Sequence, residues 1–216
     1  MRLRLTTLLL TGGLSILCLQ AAQSKEKAAD LAILNGLNTK TLDELEERLQ
    51  GDAKAGLTTF FSTTKWRTGV KAISTVSTFM LDGKVEKVQE RRLIPPSDEM
   101  AELGSADLFA NAAQEMMDAL GICIVAATNL HAAREGTKLT RVEVSLEGGL
   151  DLHGLMGIDT KVRPGFTNLR TTITIAGDKG EERLRRLATK GYELAPLFDT
   201  LLHGVGHVAA PAIVIR

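Results

Sequence analysis

Leu108–Gly136 reads LFANAAQEMMDALGICIVAATNLHAAREG. Between Ala119 and Thr128 it is apolar on nearly every helical face, and a helix apolar all round is expected to be buried on all sides. Ala, Met and Leu dominate, and all favour helix. Arg134 near the C-terminal end complements the helix dipole, and Gly136 supplies a stop. The uninterrupted apolar run is about ten residues, well short of the ~20 that a membrane span needs. The stretch therefore predicts the central helix of a globular domain. In its middle lies Cys123, the only cysteine outside the first two dozen residues.

Two long strands are expected after this helix. Lys138–Glu147 and Asn168–Ala176 (NLRTTITIA) alternate polar and apolar residues. The Gly-rich connection from Gly148 to Phe166 is long for a plain hairpin, and connections of that length are often functional. Glu181–Gly191 reads as an amphipathic helix with Leu184 and Leu187 inward, Pro196 to Leu202 as a helical turn, and Ala212–Ile215 as a short final strand. Before the central helix, Leu57–Thr64 and Val70–Leu81 are rich in Thr, Phe, Val and Ile and read as strands joined near Gly69. Asp82-Gly83 signals a hairpin, with Val85–Leu93 as the returning strand up to Pro95-Pro96. Earlier still, Thr41–Gln50 predicts a helix with a Thr41/Glu44 capping box and Leu42, Leu45 and Leu49 on one face, closed by Gly51. Lys25–Asn38 reads as a poorly patterned helical segment. Strands grouped in runs with helices inserted argue an α+β fold.

The 216 residues suffice for one ordinary domain. The 26 basic and 26 acidic residues balance, so no basic footprint for nucleic acid is present. Aromatics make up 4%, too few for base-stacking platforms. Met1–Ser24, MRLRLTTLLLTGGLSILCLQAAQS, has Arg2 and Arg4, an apolar Leu5–Leu19 run and small residues at Ala22 and Ser24. That pattern predicts a signal peptide and an exported, periplasmic or secreted protein with no stable membrane span after cleavage. An uncleaved anchor fits less well, because glycines and threonines interrupt the run. A lipoprotein would need a small residue, not Leu17, before Cys18. Cleavage leaves 24 basic against 26 acidic residues and Cys123 as the sole cysteine, which excludes an intramolecular disulfide. The domains expected are the signal at 1–24, an N-terminal helical segment at 25–56 and the main domain at 57–216.

Candidate chemistry centres on Cys123. A lone buried cysteine is usually a small hydrophobe, and reactivity requires a nearby cation or a helix N-terminus. Cys123 lies mid-helix, so a cation must come from elsewhere in the fold. Gln114, Glu115 and Asp118 precede it; a carboxylate there could orient such a cation, or simply sit at a solvated helix start. His203 and His207 in HGVGH have i, i+4 spacing. The glycines between them disfavour a helix, and no further ligand lies close by in sequence. His131 and His153 have no motif. Arg67 in Trp66-Arg67-Thr68-Gly69 and Arg163 in Arg163-Pro164-Gly165-Phe166 sit in turn-like places. No cofactor or metal is called for.

Taken in order, several segments resemble the OsmC/Ohr family, the osmotically inducible protein C and organic hydroperoxide resistance proteins. They are LNGLN (Leu34–Asn38), TTKWRTG (Thr63–Gly69), ELGSAD with QEMMDALGIC (Glu102–Cys123), HAAREG (His131–Gly136), VSLEGGLDLHGLMG with VRPGFTNLR (Val144–Arg170) and APLFDTLLHGV (Ala195–Val205). The resemblance implies an α+β fold and an intertwined homodimer, with long helices at its heart and active sites at the subunit boundary. Its implied activity is reduction of organic hydroperoxides by two cysteines, for oxidative stress defence. Cys123 matches the first, peroxidatic cysteine. The second belongs to a Cys-Pro motif that reads Ala195-Pro196 here. The family's glutamate falls on Gln114, with Glu115 one place later, a shift of about 100° around a helix. Arg67 matches the activating arginine. Two functions follow from this. In one, Cys123 is a one-cysteine nucleophile activated by Arg67 with Glu115 or Gln114, and an external thiol resolves it. In the other, the domain is non-catalytic and binds an apolar ligand or a partner.

Overall fold

The computed structural model describes residues 33–86, 96–206, 208–213 and 215. The signal segment Met1–Ser24, residues 25–32 of the N-terminal segment, residues 87–93 of the returning strand, and His207 lie outside the described residues.

Two Asx-Gly pairs punctuate the N-terminal half. At Asn35-Gly36 (φ 52° and 79°) and Asp82-Gly83 (φ 51° and 76°) both residues have positive φ, the backbone of a two-residue I′ hairpin turn. The first joins β1 (Ile33–Leu34) to β2 (Leu37–Asn38). This corrects the helical expectation for these residues, because an Asn-Gly pair favours a hairpin over a helix. Asn38 then caps α1 (Thr39–Gly51), its Oδ1 accepting from the Thr41 N–H at 3.2 Å. The cap is therefore three residues earlier than the Thr41/Glu44 box. Leu45 and Leu49 remain exposed and flank an open cleft of about 330 Å³ against Leu130 and Arg134.

A three-stranded antiparallel sheet follows: β3 (Thr58–Thr68), β4 (Lys71–Leu81) and β5 (Lys84–Glu86), in that order. Every β3 residue is exposed, including Phe60 and Trp66. Near its end the register slips: Trp66 pairs with Ala72 and Thr68 with Lys71. Arg67 is therefore an extra residue, a β-bulge.

The central helix, α2, runs Ala112–Arg134. Asn111 and Gln114 close a reciprocal capping box at its start, with bonds of 2.9 and 3.0 Å. Gly136 (φ 64°) follows its end. Arg134 pairs with Glu46 of α1. By length and composition α2 could cross a membrane, a test that core helices of soluble proteins also pass. Burial on all sides, as expected from its sequence, is not observed. Leu120, Ile124, Ala127 and Thr128 are buried, whereas Ile122 is 61% exposed. One stripe packs on a sheet and two helices, and nothing among the described residues covers the other.

The covering sheet is antiparallel β6 (Leu139–Gly149) with β7 (Asn168–Gly177). Val144, Leu146 and Ile173 pack on the α2 core. The connection between these strands holds one short helix, α3 (Leu152–Leu155). α4 (Glu181–Glu193) buries Leu184 and Leu187, and α5 (Pro196–His203) follows with proline in its first turn. Among residues 212, 213 and 215 the short final strand is absent. The result is an α+β architecture with antiparallel sheets. The β1–β2 turn latches onto its centre. Asn35 donates to the Thr137 carbonyl at 2.8 Å and accepts from the Leu139 N–H at 2.8 Å, while Asn129 of α2 donates to the Asn35 carbonyl at 3.1 Å.

On α2, His131 is buried and its Nδ1 has no hydrogen-bond partner among the described residues. Burial, then the charges of Lys190 on α4 and Arg134, push its imidazole below the ordinary range, with Glu135 opposing. The folded state therefore resists a proton that the unfolded chain accepts. Stability is expected to fall as pH drops below about 6.5, the ordinary value for histidine. Urea midpoints at about pH 7.5 and about pH 5.5 test this. The difference should shrink in His131→Gln. An equal drop in that variant would assign the slope to other groups.

Candidate functional site

Cys123 is built into the edge of the buried stripe of α2. It is a free, half-buried thiol. It packs on a cluster formed by Leu120, Ile124, Ala127 and Ala195, together with Tyr192 and Phe198. The Leu194-Ala195-Pro196 link between α4 and α5 puts Ala195 there. Glu193 is the last residue of α4 and Pro196 the first of α5, because proline suits the first helical turn and lacks the N–H a longer helix would need. Ala195 has no exposed surface, and the Tyr192 and Phe198 rings, 4.0 Å apart between centroids, flank it in sequence. The position matched to the family's second cysteine thus shares a cluster with the position matched to the first.

The other sequence candidates do not converge on the thiol within the single chain. Gln114 is held in the α2 cap. It precedes Cys123 by nine residues, which places it roughly 13 Å away along the axis and on the opposite face. Glu115 is half-buried and lies about 12 Å along the axis and about 80° around it. Arg67 is exposed on β3 and makes no side-chain hydrogen bond or ion pair among the described residues. The Cys123 Sγ likewise has no hydrogen-bond partner among them.

Of the histidines, His203 pairs with Asp199 at 2.9 Å, and Gly204 ends α5 immediately after it, so HGVGH is not one helix. His153 pairs with Asp151 at 2.8 Å. No metal-ligating cluster of three or more side chains occurs among the described residues. Arg163 is exposed in the β6–β7 connection.

Two features were missed in the sequence. The first is an open, mainly apolar groove of about 510 Å³ along the uncovered stripe of α2, lined among others by Ile122, Val125, Val144 and Leu146, with Asp118 and Asn129 as polar groups. The alternation on β6 signals an inward face, but not that its outer half stays open. The second is Asp98, a buried acid in a loop that carries no motif.

Residues 105–207 match the family model described as OsmC-like protein. Cys123, Gln114, Glu115 and Ala195 lie inside that span, and Arg67 lies before it. No curated protein matches the chain. Among solved structures, an OsmC-like protein from Mycoplasma pneumoniae is similar at 12% identity, with a TM-score of 0.47, covering 67% of this chain and 88% of its own. An organic hydroperoxide resistance protein OsmC from Legionella pneumophila is similar at 16% identity, with a TM-score of 0.46, covering 68% of this chain and 90% of its own.

Proposed function

Because residues 105–207 are an OsmC-like region with one free thiol at its centre, we propose that the chain is a one-cysteine, thiol-dependent reductase of organic hydroperoxides. The observation that carries this reading is the seat of Cys123, half-buried in a cluster with Ala195. The Cys123 thiolate attacks the terminal peroxide oxygen. An S–O bond forms, the O–O bond breaks, and the alkoxide leaves and takes a proton to become the alcohol. The cysteine is then a sulfenic acid, the reversible first rung of thiol oxidation. With Ala195 in place of a second cysteine, an external thiol condenses with it and releases water. A second external thiol then displaces Cys123 and leaves as the disulfide. The role is defence against oxidative stress in an exported protein.

Activation needs a cation beside the sulfur, and Arg67 is assigned that part, with Glu115 or Gln114 orienting it. Since these groups stand apart in one chain, the reading includes a homodimer in which a second copy covers the open stripe of α2. The active site then lies at the boundary between copies.

An introduced thiol tests the arrangement. Ala195→Cys is expected to form an intramolecular disulfide with Cys123 on addition of an organic hydroperoxide, and a small dithiol should reverse it. Such a bond forms only if the two Cα atoms lie within about 7 Å. The wild type, treated alike, should instead give a sulfenic acid that a small thiol captures as a mixed disulfide. Absence of both products by mass spectrometry would remove the peroxidatic assignment.

The open groove favours a second reading, a non-catalytic domain that binds an apolar ligand or partner. Cys123 is not among its lining residues, so under that reading Cys123→Ser leaves binding unchanged.

A further inference from the structure

The loop that leads into α2 is anchored by one buried acid. Asp98 is 1% exposed. Its carboxylate accepts from the Leu108 N–H at 3.2 Å, from the Glu99 N–H at 3.0 Å and from the Ser105 hydroxyl. It also pairs with Lys71 Nζ at 3.6 Å. The Asp98 N–H donates to the Ala110 carbonyl at 3.3 Å, and the Ser97 N–H to the Ala72 carbonyl at 3.1 Å. Ser97 and Asp98 thus join the first rungs of β4 to the residues just before the Asn111 cap of α2. The Ser105 hydroxyl, then the Leu108 and Glu99 N–H groups and Lys71, hold the Asp98 carboxyl below its ordinary range against the opposing effect of burial. The charge that Lys71 pairs with is therefore maintained.

The rungs so held are the ones opposite the bulge. Lys71 and Ala72 are the partners of Thr68 and Trp66, and Arg67 is the extra residue between those two. A bulge bends its strand and re-aims the side chain it carries. Its direction is only as fixed as the strand paired with it. Arg67 has no side-chain partner of its own among the described residues, so its neighbours hold the bulge: the Trp66 indole N–H donates to the Gly69 carbonyl at 2.7 Å on one side, and the hold on β4 steadies the strand opposite.

The geometry points to Asp98 as a positioning residue for hydroperoxide reduction: by clamping Lys71 and the entry to α2 it fixes the bulge that aims Arg67. This rests on the reading of Cys123 as nucleophile and Arg67 as its activating cation. Neutralising Asp98 releases Lys71 and lets the end of the β3–β4 hairpin swing, so in the proposed homodimer the Arg67 of one copy spends less time facing the Cys123 thiolate of the other.

The test is the rate of Cys123 alkylation by iodoacetamide from about pH 5 to about pH 9, across the range where thiols ionise. Wild type, Asp98→Asn, Arg67→Gln and the double variant are compared, each checked for folding by circular dichroism. Both single variants are expected to react about tenfold more slowly at the acid end, a profile displaced by about one pH unit. The double variant should be no slower than Arg67→Gln alone. Additive losses overturn the positioning role and leave the nucleophile reading standing, as does an Asp98→Asn profile that matches wild type while Arg67→Gln is displaced. A wild-type profile indifferent to Arg67→Gln overturns the underlying reading and this inference with it. If Asp98→Asn does not fold, Lys71→Gln replaces it. A smaller displacement that vanishes beside Arg67→Gln supports the clamp, and none at all overturns it.

Discussion

Cys123→Ser is expected to reduce organic hydroperoxide consumption to the level of buffer with reductant, a loss on the order of a thousandfold or more, as when an enzyme loses its nucleophile. A serine hydroxyl is close in size to the thiol, so the cluster around Leu120, Ile124 and Ala195 should keep its packing. Only the reactive sulfur is removed. In protein prepared from Lys25 onward no second thiol remains to take over, because Cys123 is the sole cysteine after Cys18. The assay uses purified protein prepared from Lys25 onward, an organic hydroperoxide beside hydrogen peroxide, and both a small monothiol and a small dithiol. Turnover that disappears in the variant assigns the chemistry to Cys123. A monothiol that supports the wild type as well as a dithiol does would fit a cycle with no internal second cysteine. Equal rates in wild type and variant would instead favour the groove-binding reading, and apolar ligands would be screened next.

Much of the fold was legible because its signals are local. Asp82-Gly83 gives its hairpin, Asn168–Gly177 alternates as a strand must, and Pro196 starts a helix. The site was legible only in part. Cys123 stood out as the one cysteine outside the first two dozen residues, and Ala195 by its place before a proline. Which stripe of α2 stays open was not legible. Ile122 and Ile124 are the same residue type two positions apart, yet one is 61% exposed and the other has no exposed surface. Only the placement of β6, β7, α4 and α5 decides between them, and that is tertiary information. Thr41 and Glu44 fit the capping-box pattern in the sequence, whereas the preceding hairpin delivers Asn38 to the helix start. Asp98 gave no signal at all: its four partners come from Lys71, Glu99, Ser105 and Leu108, a set only the folded loop assembles.

Gly191 shows the same limit from the side of stability, and its substitution should have the largest effect on folding. In the sequence it reads as the end of a helix, but α4 continues through it to Glu193. The glycine is there because α4 crosses α2 at this point. A Cβ on residue 191 would lie 2.1 Å from Thr128 Oγ1, 2.6 Å from Thr128 Cα and 2.7 Å from Thr128 N. A rotation of the threonine side chain relieves the first clash, but the other two are with backbone. The helices must then move apart, and Thr128 has no exposed surface and so no free space to yield into. Overpacking of this kind costs about 1–3 kcal/mol and occasionally more, while alanine in a helix returns about 1 kcal/mol over glycine. Two clashes with backbone put Gly191→Ala at the upper end of that cost, so the net expectation is a loss of about 2 kcal/mol, a large fraction of the ~5–15 kcal/mol that holds a typical domain. Gly51→Ala is the control. Gly51 is the last residue of α1 and a Cβ there meets nothing within 4 Å, so the same chemical change should be neutral or stabilising. Urea melts of the two variants should therefore move in different directions. Separation of α4 from α2 also opens the wall that Tyr192 and Ala195 form beside Cys123, so a bulky thiol reagent should label Gly191→Ala faster than wild type under native conditions. A Gly191→Ala protein as stable as wild type, with unchanged labelling, would mean that the close crossing of these helices does not set the packing around the thiol.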